Sequence, residues 1–453
     1  MPSTAFDSFY LRDRYASPAM RAIWDDRMMI QRWLDVEAAL AAVEAELGLV
    51  PRTAAREIAQ KAHVGLLDLR AMKRDFDASW NPVMPLVDAM RRELTPAAGR
   101  YVHWGATAKN IMDTGTALQI RDSYAVVFAE LDAIADVLAR LARRHRDTVM
   151  AGRTHGQHAL PVTFGFKAAV WLDELLRQRQ RLLASRRRVL VGEFGGAIGT
   201  LAALGRKGVL VQKRLMKRLG LGVPVIPAKT AGDRFAEFFL LLAMLSATLG
   251  KIAQNIYNLQ QTEIDEVTEF VEGKVGSSAM PHKLNPVASG SVVLLGRLLR
   301  ARAGPALDYI HSEWEDDHRQ GETAWSFAPE VCLLMGAQLA LGKRLLGSLV
   351  VKPENMLRNL ERSGGAVLSE AVMMALARRI GRDRAHALVL EIARAAREEK
   401  APFAGAVRAH PDVRRHLKPR EVEAALQYRN SLGLSGFFVG LQHLVHEAER
   451  RKR

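Results

Sequence analysis

One cysteine, Cys332, stands in a chain of 453 residues, so no intrachain disulfide can form and a reducing compartment is expected. It lies in the apolar run EVCLLMGAQLAL, which reads as a small core residue rather than a nucleophile. Aromatic residues are scarce at 6%, and none interleaves the basic stretch RQRQRLLASRRR from Arg177 to Arg188. The 65 Lys and Arg exceed the 49 Asp and Glu, a net charge of +16. Without stacking platforms or a recognisable module, that excess reads as solvated helix faces and a field attracting small anions, not as a nucleic-acid surface. No run of about 18 uncharged apolar residues occurs. The opening MPSTAFDSFYLRDRY carries acids and no signal-like apolar core. No membrane contact and a cytoplasmic location are the expectation. Thirteen histidines form no HExxH, and the pair in HGQH lacks an acidic third ligand, so no metal is expected. A G-x-S-x-G elbow is missing. The glycines of GEFGGAIGTLAALG, Gly192 to Gly205, lack the preceding strand and the Lys-Ser/Thr ending of a phosphate loop. No cofactor is expected.

Helix formers are abundant. Hydrophobic residues make up 49% of the chain, and alanine, leucine and arginine dominate the long stretches, which predicts a mostly α protein. Its length allows two or three domains, or one long shared bundle. Residues 18–49 read as one helix or two, with Pro18 in a first turn. From about Asn110, apolar residues Ile120, Val127, Leu131, Ile134, Leu138 and Leu141 recur at helical spacing and predict a helix longer than the globular norm, hence a bundle. Further long helices are expected over about Phe164 to Val189, Asp233 to Gln261, and Pro286 towards Asp308, with glycines between them serving close approach or positive φ. From about Ser363 the helices shorten. The expected domains are an N-terminal helical domain over 1–109, a central long-helix bundle over 110–362 and a C-terminal helical domain over 363–453.

Three polar breaks carry the chemistry. WGATAKNIMDTG supplies Thr107, Lys109 and Asn110; GRTHGQHALP supplies His155, Gln157 and His158; GSSAMPHKLNP supplies Ser277, Ser278, His282, Lys283 and Asn285. If they meet, the pocket is rich in donors and poor in carboxylates, which suits an anionic substrate and negative charge growing on oxygen. Taken singly, each residue has a plainer reading: His155 as a hydrogen-bonded structural histidine, the serines as caps or turns, Lys283 as a solvated cation.

The three segments together resemble the fumarase/aspartase superfamily. GSSAMPHKLNP matches its signature G-S-S-x-M-P-x-K-x-N-P; GRTHGQHALPVTFG and GATAKNIMDT resemble its other active-site segments; RYASPAMRAIWDD is similar to the N-termini of adenylosuccinate lyases and 3-carboxy-cis,cis-muconate cycloisomerases. The resemblance implies an all-α, three-domain subunit whose long helices form the core of a homotetramer, with active sites shared between subunits. It implies anti β-elimination that releases fumarate from a succinyl-bearing compound. Ser277 would be the general base, and His155 the general acid or an orienting group. Substrate contacts would come from Arg14, Tyr15, Thr107, Lys109, Asn110, Thr154, Gln157, Arg234, Ser278, Met280, Lys283 and Asn285.

Within that branch the residues divide. His155 is similar to the lyase pattern, where the cycloisomerases carry tryptophan. Gly290, where lyases commonly have a glutamate, is closer to the cycloisomerase pattern. Adenylosuccinate lyases have His-Asp-Val where this chain has Asn81, Pro82 and Val83, and their nucleotide-binding Glu-Arg falls at Glu315 and Asp316. An acid in place of a phosphate-binding arginine removes a charge-assisted pair and adds repulsion. The expected substrate is therefore a small di- or tricarboxylate of succinyl type other than adenylosuccinate, with lactonisation of 3-carboxy-cis,cis-muconate as the alternative. Glu313, Glu315, Asp316 and Asp317 read as a solvated helix start, or as a partner for a substrate amine.

Overall fold

A computed structural model of the chain describes residues 4–269, 277 and 279–451. The protein is all-α, 69% helical, with two short antiparallel two-stranded sheets among the described residues. Five helices dominate: Ala108–Arg144, Phe164–Val189, Asp233–Leu259, Val287–Arg302 and His318–Gly347. Three of these follow the apolar periodicity of the sequence closely. The fourth stops at Arg302, and Pro305–Asp308 forms a separate short turn of helix, since Pro305 has no N–H to extend the ladder.

Beyond its start, the fifth is not legible as a long helix because Pro329 and three internal glycines interrupt its pattern. Burial decides the matter. Phe327, Val331, Leu334, Met335 and Leu339 are each at most 1% exposed. At roughly 1.5–3 kcal/mol per buried side chain they outweigh the ~3 kcal/mol cost of an internal proline. Cys332 lies in the same stretch, fully buried, and burial pushes its thiol well above the ordinary range, so it is a core residue. Two helices, Asp233–Leu259 and His318–Gly347, are long and apolar enough to span a membrane, but 61% of each apolar window is buried inside the protein, which accounts for their composition.

The chain divides into two compact units, and the division falls within the five long helices. The first unit comprises Met1–Leu131, Gln178–Gly250 and Val292–Ala340. Here the few aromatic residues are concentrated: Tyr124, Phe238, Phe239 and Phe327 form a chain of ring contacts at 4.7, 5.3 and 5.0 Å. The Tyr124 hydroxyl pairs with Ser185 Oγ at 2.6 Å, meeting its polar need inside the core. The N-terminal helices Pro18–Trp24 and Asp26–Glu46 are capped by Ser17 and Asp25, with Pro18 in the first turn as expected.

The second unit comprises Asp132–Arg177, Lys251–Ser291 and Leu341–Arg453. Its apolar core is built by Leu360, Val372, Leu376, Ile392, Phe403 and Val413 from the short C-terminal helices. A β-hairpin, Val149–Thr154 with Gln157–Thr163, occupies the second polar break, where no strand is predicted. Its register pairs Thr154 with Gln157 and Arg153 with His158, with an irregularity between Ala151 and Arg153. A second pair, Val267–Glu269 with Leu349–Val351, leads towards the signature loop.

Candidate active site

In the second unit the hairpin turn presents His155. The two turn residues both have positive φ, 53° at His155 and 76° at Gly156, the pairing that a two-residue hairpin turn of matching twist requires. Glycine takes that conformation freely, whereas histidine is strained there. Thr154, His155 and Gln157 are exposed at the tip. The turn has a firm base. Arg153 donates through both guanidinium nitrogens to Glu266 at 3.0 and 2.6 Å, and the fully buried Glu266 also accepts from Asn359 Nδ2 at 3.0 Å. Such a bidentate charged pair fixes direction as well as distance.

The signature loop is described from Ser277 onward except for Ser278; Gly276 and Ser278 lie outside the described residues. Ser277 Oγ accepts from the N–H of Ala279 at 3.3 Å and of Met280 at 3.1 Å. Two backbone donors on one hydroxyl oxygen close an ordinary serine turn, and they also favour the ionised form of that oxygen. Met280 and Lys283 are exposed and Asn285 is half-buried. At its exit the loop meets Glu269, which accepts from the N–H of Ala288 at 2.7 Å, the N–H of Ser289 at 3.0 Å and the Ser289 hydroxyl at 2.7 Å. Burial alone would raise this carboxyl, but the Ser289 and Ala288 donors outweigh it and hold it below the usual range. Glu269 thus caps the Val287–Arg302 helix with a buried charge. Sequence reasoning missed it, because its partners lie 19 and 20 residues away.

In the first unit, Thr107 precedes the Ala108–Arg144 helix, and Asn110 in its first turn accepts the Thr107 N–H at 3.2 Å through Oδ1. The same oxygen accepts from Gly196 N–H at 3.1 Å, so the glycine-rich break reaches this helix start. Gly196 has φ 71°, and at Gly199 a Cβ would stand 2.3 Å from the Pro227 carbonyl oxygen, so glycine is required for the close approach there. Asn110 Nδ2 is buried without a partner. Lys109, 7% exposed, pairs with Asp113 at 3.1 Å. Burial raises the Asp113 carboxyl against the pull of Lys109. Arg234 stands 3.9 Å from Glu193, whose carboxylate oxygens receive no full hydrogen bond. Burial, then the nearby Asp113, pushes Glu193 up to about 7, with Arg234 and the Ala228 N–H working the other way. Lys109 and Arg234 are therefore gathered around two acids, the largely buried Asp113 and the buried Glu193, that the sequence reading did not single out. Arg14 is exposed, and Tyr15 packs edge-on against Phe6 at 6.0 Å.

Two sequence profiles match the chain: one described as a lyase family over residues 12–297, and one described as the adenylosuccinate lyase C-terminus over residues 365–440. The chain belongs to the fumarase/aspartase superfamily of lyases. Relatives in this superfamily span it almost end to end. An N-acetyl-S-(2-succino)cysteine lyase of Dickeya dadantii is 38% identical over 96% of the chain and 95% of the relative. A 3-carboxy-cis,cis-muconate cycloisomerase of Pseudomonas aeruginosa is 40% identical over 98% and 96%. Among solved superfamily structures, a fumarate lyase from Mesorhizobium sp. BNC1 superposes with a TM-score of 0.89 at 39% identity, covering 95% of this chain and 98% of that one.

Two positions where the superfamily's branches differ have definite surroundings. Gly290 faces the Tyr257 ring, which a Cβ would meet at 3.5 Å, and no carboxylate replaces the absent glutamate as a partner of His155 among the described residues. The acids at 313–317 lie just before the His318–Gly347 helix, where a helix start is read from the sequence, but Asp317 is buried rather than solvated. Asp316 is paired with Lys229 at 2.6 Å, and Asp317 is held down to about 2, chiefly by Arg319.

Proposed function

We propose that this protein catalyses anti β-elimination of a 2-substituted succinate, breaking a C–S or C–N bond and releasing fumarate. The observation that carries the reading is Ser277 Oγ receiving two backbone N–H groups. Such an oxygen can exist as the alkoxide a weakly acidic Cβ proton demands. In the reaction one C–H and one C–X bond break. Ser277 takes the proton, the C–H electron pair becomes the fumarate double bond, and the heteroatom leaves with the C–X bonding pair and is protonated. His155 is the group proposed to give or guide that second proton. Between the two bond-breaking events the substrate carboxylate carries extra charge, which Lys283, Asn285, Met280, Ser278, Thr154 and Gln157 are proposed to stabilise together with Lys109, Asn110, Thr107, Arg234, Arg14 and Tyr15.

These residues belong to two units, and the reading assigns them to active sites shared among copies of a homotetramer. One surface supports association. The Ser435–Arg450 helix buries His446 and Gln442 at 2% and 9% exposure, yet leaves Phe437 and Leu444 at 60% and 66%. An inverted face of this kind is what a partner copy covers. The three-domain division of the subunit and a cytoplasmic, cofactor-free setting belong to the same reading.

A succinyl thioether is favoured as the first substrate class by the Dickeya dadantii relative, whose name states a C–S lyase activity. Lactonisation of 3-carboxy-cis,cis-muconate is the second reading, favoured by Gly290 and the Pseudomonas aeruginosa relative. The deciding experiment incubates the protein with 2-succinyl thioethers, N-succinyl amines including adenylosuccinate and argininosuccinate, and 3-carboxy-cis,cis-muconate, with products followed by mass spectrometry. Fumarate from a thioether or amine is expected. Lactone from the muconate, with no fumarate from any succinyl compound, overturns the lyase reading.

A further inference from the structure

Beside Thr107 and Lys109 the first unit contains a cavity of about 500 Å³. One wall is apolar: Phe76, Trp80, Pro82, Met112 and Trp325. Of these Met112 is 9% exposed, Trp325 38% and Trp80 82%, so the wall runs from a buried floor to an open aromatic rim. Trp80 is held at that rim by its backbone. It caps the Leu69–Ser79 helix in a left-handed conformation, φ 56° and ψ 14°, with its N–H on the Phe76 carbonyl at 2.8 Å. On its other side Asn81 Oδ1 accepts from the N–H of Val83 and Met84 at 3.1 and 3.0 Å, starting the next helix. A bulky residue at positive φ costs free energy, and this one gains no burial in return.

The charges of the cavity point the same way. Lys109 is the one lysine or arginine among its lining residues, and it is already paired with Asp113. Asp77, Asp316, Asp317 and Glu322 also line it; Asp77 is paired with Lys73, Asp316 with Lys229 and Asp317 with Arg319. With Lys109 serving the succinyl half, a phosphate or carboxylate on the leaving group would meet these acids, His318 and no other arginine or lysine. An uncharged or cationic ring or chain would instead bury apolar surface on the tryptophans, and a positive charge would be favoured by the acids and the ring faces.

Resting on the lyase reading above, we propose that this cavity is the leaving-group subsite, and that it selects apolar or aromatic thiols and amines without negative charge, with Trp80 and Trp325 as the specificity-determining residues. The succinyl half is held next to Thr107 and Lys109, and the group bonded through sulfur or nitrogen extends along the aromatic wall.

The test uses three thioethers of one succinyl core: 2-(methylthio)succinate, 2-(benzylthio)succinate and 2-(carboxymethylthio)succinate. kcat/KM for fumarate release is expected to be about tenfold higher for the benzyl than for the methyl compound, with the carboxymethyl compound below both, the scale on which an apolar pocket discriminates. Trp325→Ala is expected to lower the benzyl value by about tenfold and the methyl value by only a few-fold. Binding of the same three compounds to Ser277→Ala, measured by calorimetry, ranks them without any turnover. A benzyl preference in binding with no fumarate released by the wild-type protein keeps the subsite and refutes the elimination. Fumarate released with the carboxymethyl compound preferred, or Trp80→Ala and Trp325→Ala depressing all three equally, keeps the elimination and overturns the subsite.

Discussion

The two units hold their functional groups in opposite ways. In the first, Lys109 and Arg234 stand beside the largely buried Asp113 and Glu193, Asn110 is locked by Thr107 and Gly196, and of the candidate residues only Arg14 is exposed. In the second, His155 sits exposed at a turn and Ser277 half-buried on a loop, and these elements are fixed at their bases, by the Arg153–Glu266 pair and by Glu269. On the proposed mechanism the difference separates two tasks. Charges that recognise a carboxylate work best when oriented before the substrate arrives, so their reorganisation cost is met in folding. Groups that exchange protons must reach the substrate and then release the product, which a tip on an anchored base permits.

The sharpest way to break this comparison is Ser277→Ala. On the proposed mechanism it lowers kcat by at least about a thousandfold while ligand affinity changes by no more than a few-fold, because the loop's anchor is Glu269 and not the serine. Single-turnover fumarate release together with calorimetric binding measures both. Retained activity would return Ser277 to the turn-closing role its hydrogen bonds also fit.

Lys109→Met attacks the other side and has a smaller effect on rate. It leaves Asp113 buried without its cation, a loss of about 3 kcal/mol that the raised Asp113 carboxyl limits by taking a proton. A lower denaturation midpoint and a KM increased by about tenfold are expected. Adding Asp113→Asn should restore most of the stability and none of the affinity. If affinity returns as well, Lys109 is an internal counter-ion only.

How much of this was legible in the sequence follows the same divide. Long helices announced themselves through apolar recurrence, as in Ile120, Val127, Leu131 and Ile134, and the lyase signature was contiguous in GSSAMPHKLNP. The hairpin around His155 was missed, although the signal existed: a two-residue turn ending in glycine between short strands. The His318–Gly347 helix was masked by Pro329, since local breaker signals are overridden by burial that only the folded core reveals. Asp113, Glu193 and Glu269 were invisible for a different reason. Their importance lies in what surrounds them, and no residue within a few positions of Glu193 in the chain indicates that Arg234 will face it.

Glu193 offers the gentlest and most selective probe of the prebuilt half. Its carboxyl is raised from 4.5 to about 7 by burial and by Asp113. The unfolded chain therefore ionises near 4.5, whereas the native protein keeps the proton until near 7. Between those values the native state binds more protons than the unfolded one, so this group's contribution to stability falls as pH rises through the window and is constant above it. The full penalty is on the order of 3 kcal/mol. Glu193→Gln removes it, so the variant should match wild type near pH 4.5, become progressively more stable towards pH 7, and hold that advantage beyond. Substrate affinity adds a second reading of the same proton. Above pH 7 the ionised Glu193 competes for Arg234 with an incoming carboxylate, so the wild-type KM should rise by a few-fold and the variant's should stay flat. Thermal melts and KM across pH 5 to about 8.5 read both effects. Parallel pH profiles for the two proteins would show that the acid and the arginine, though 3.9 Å apart, do not share a task.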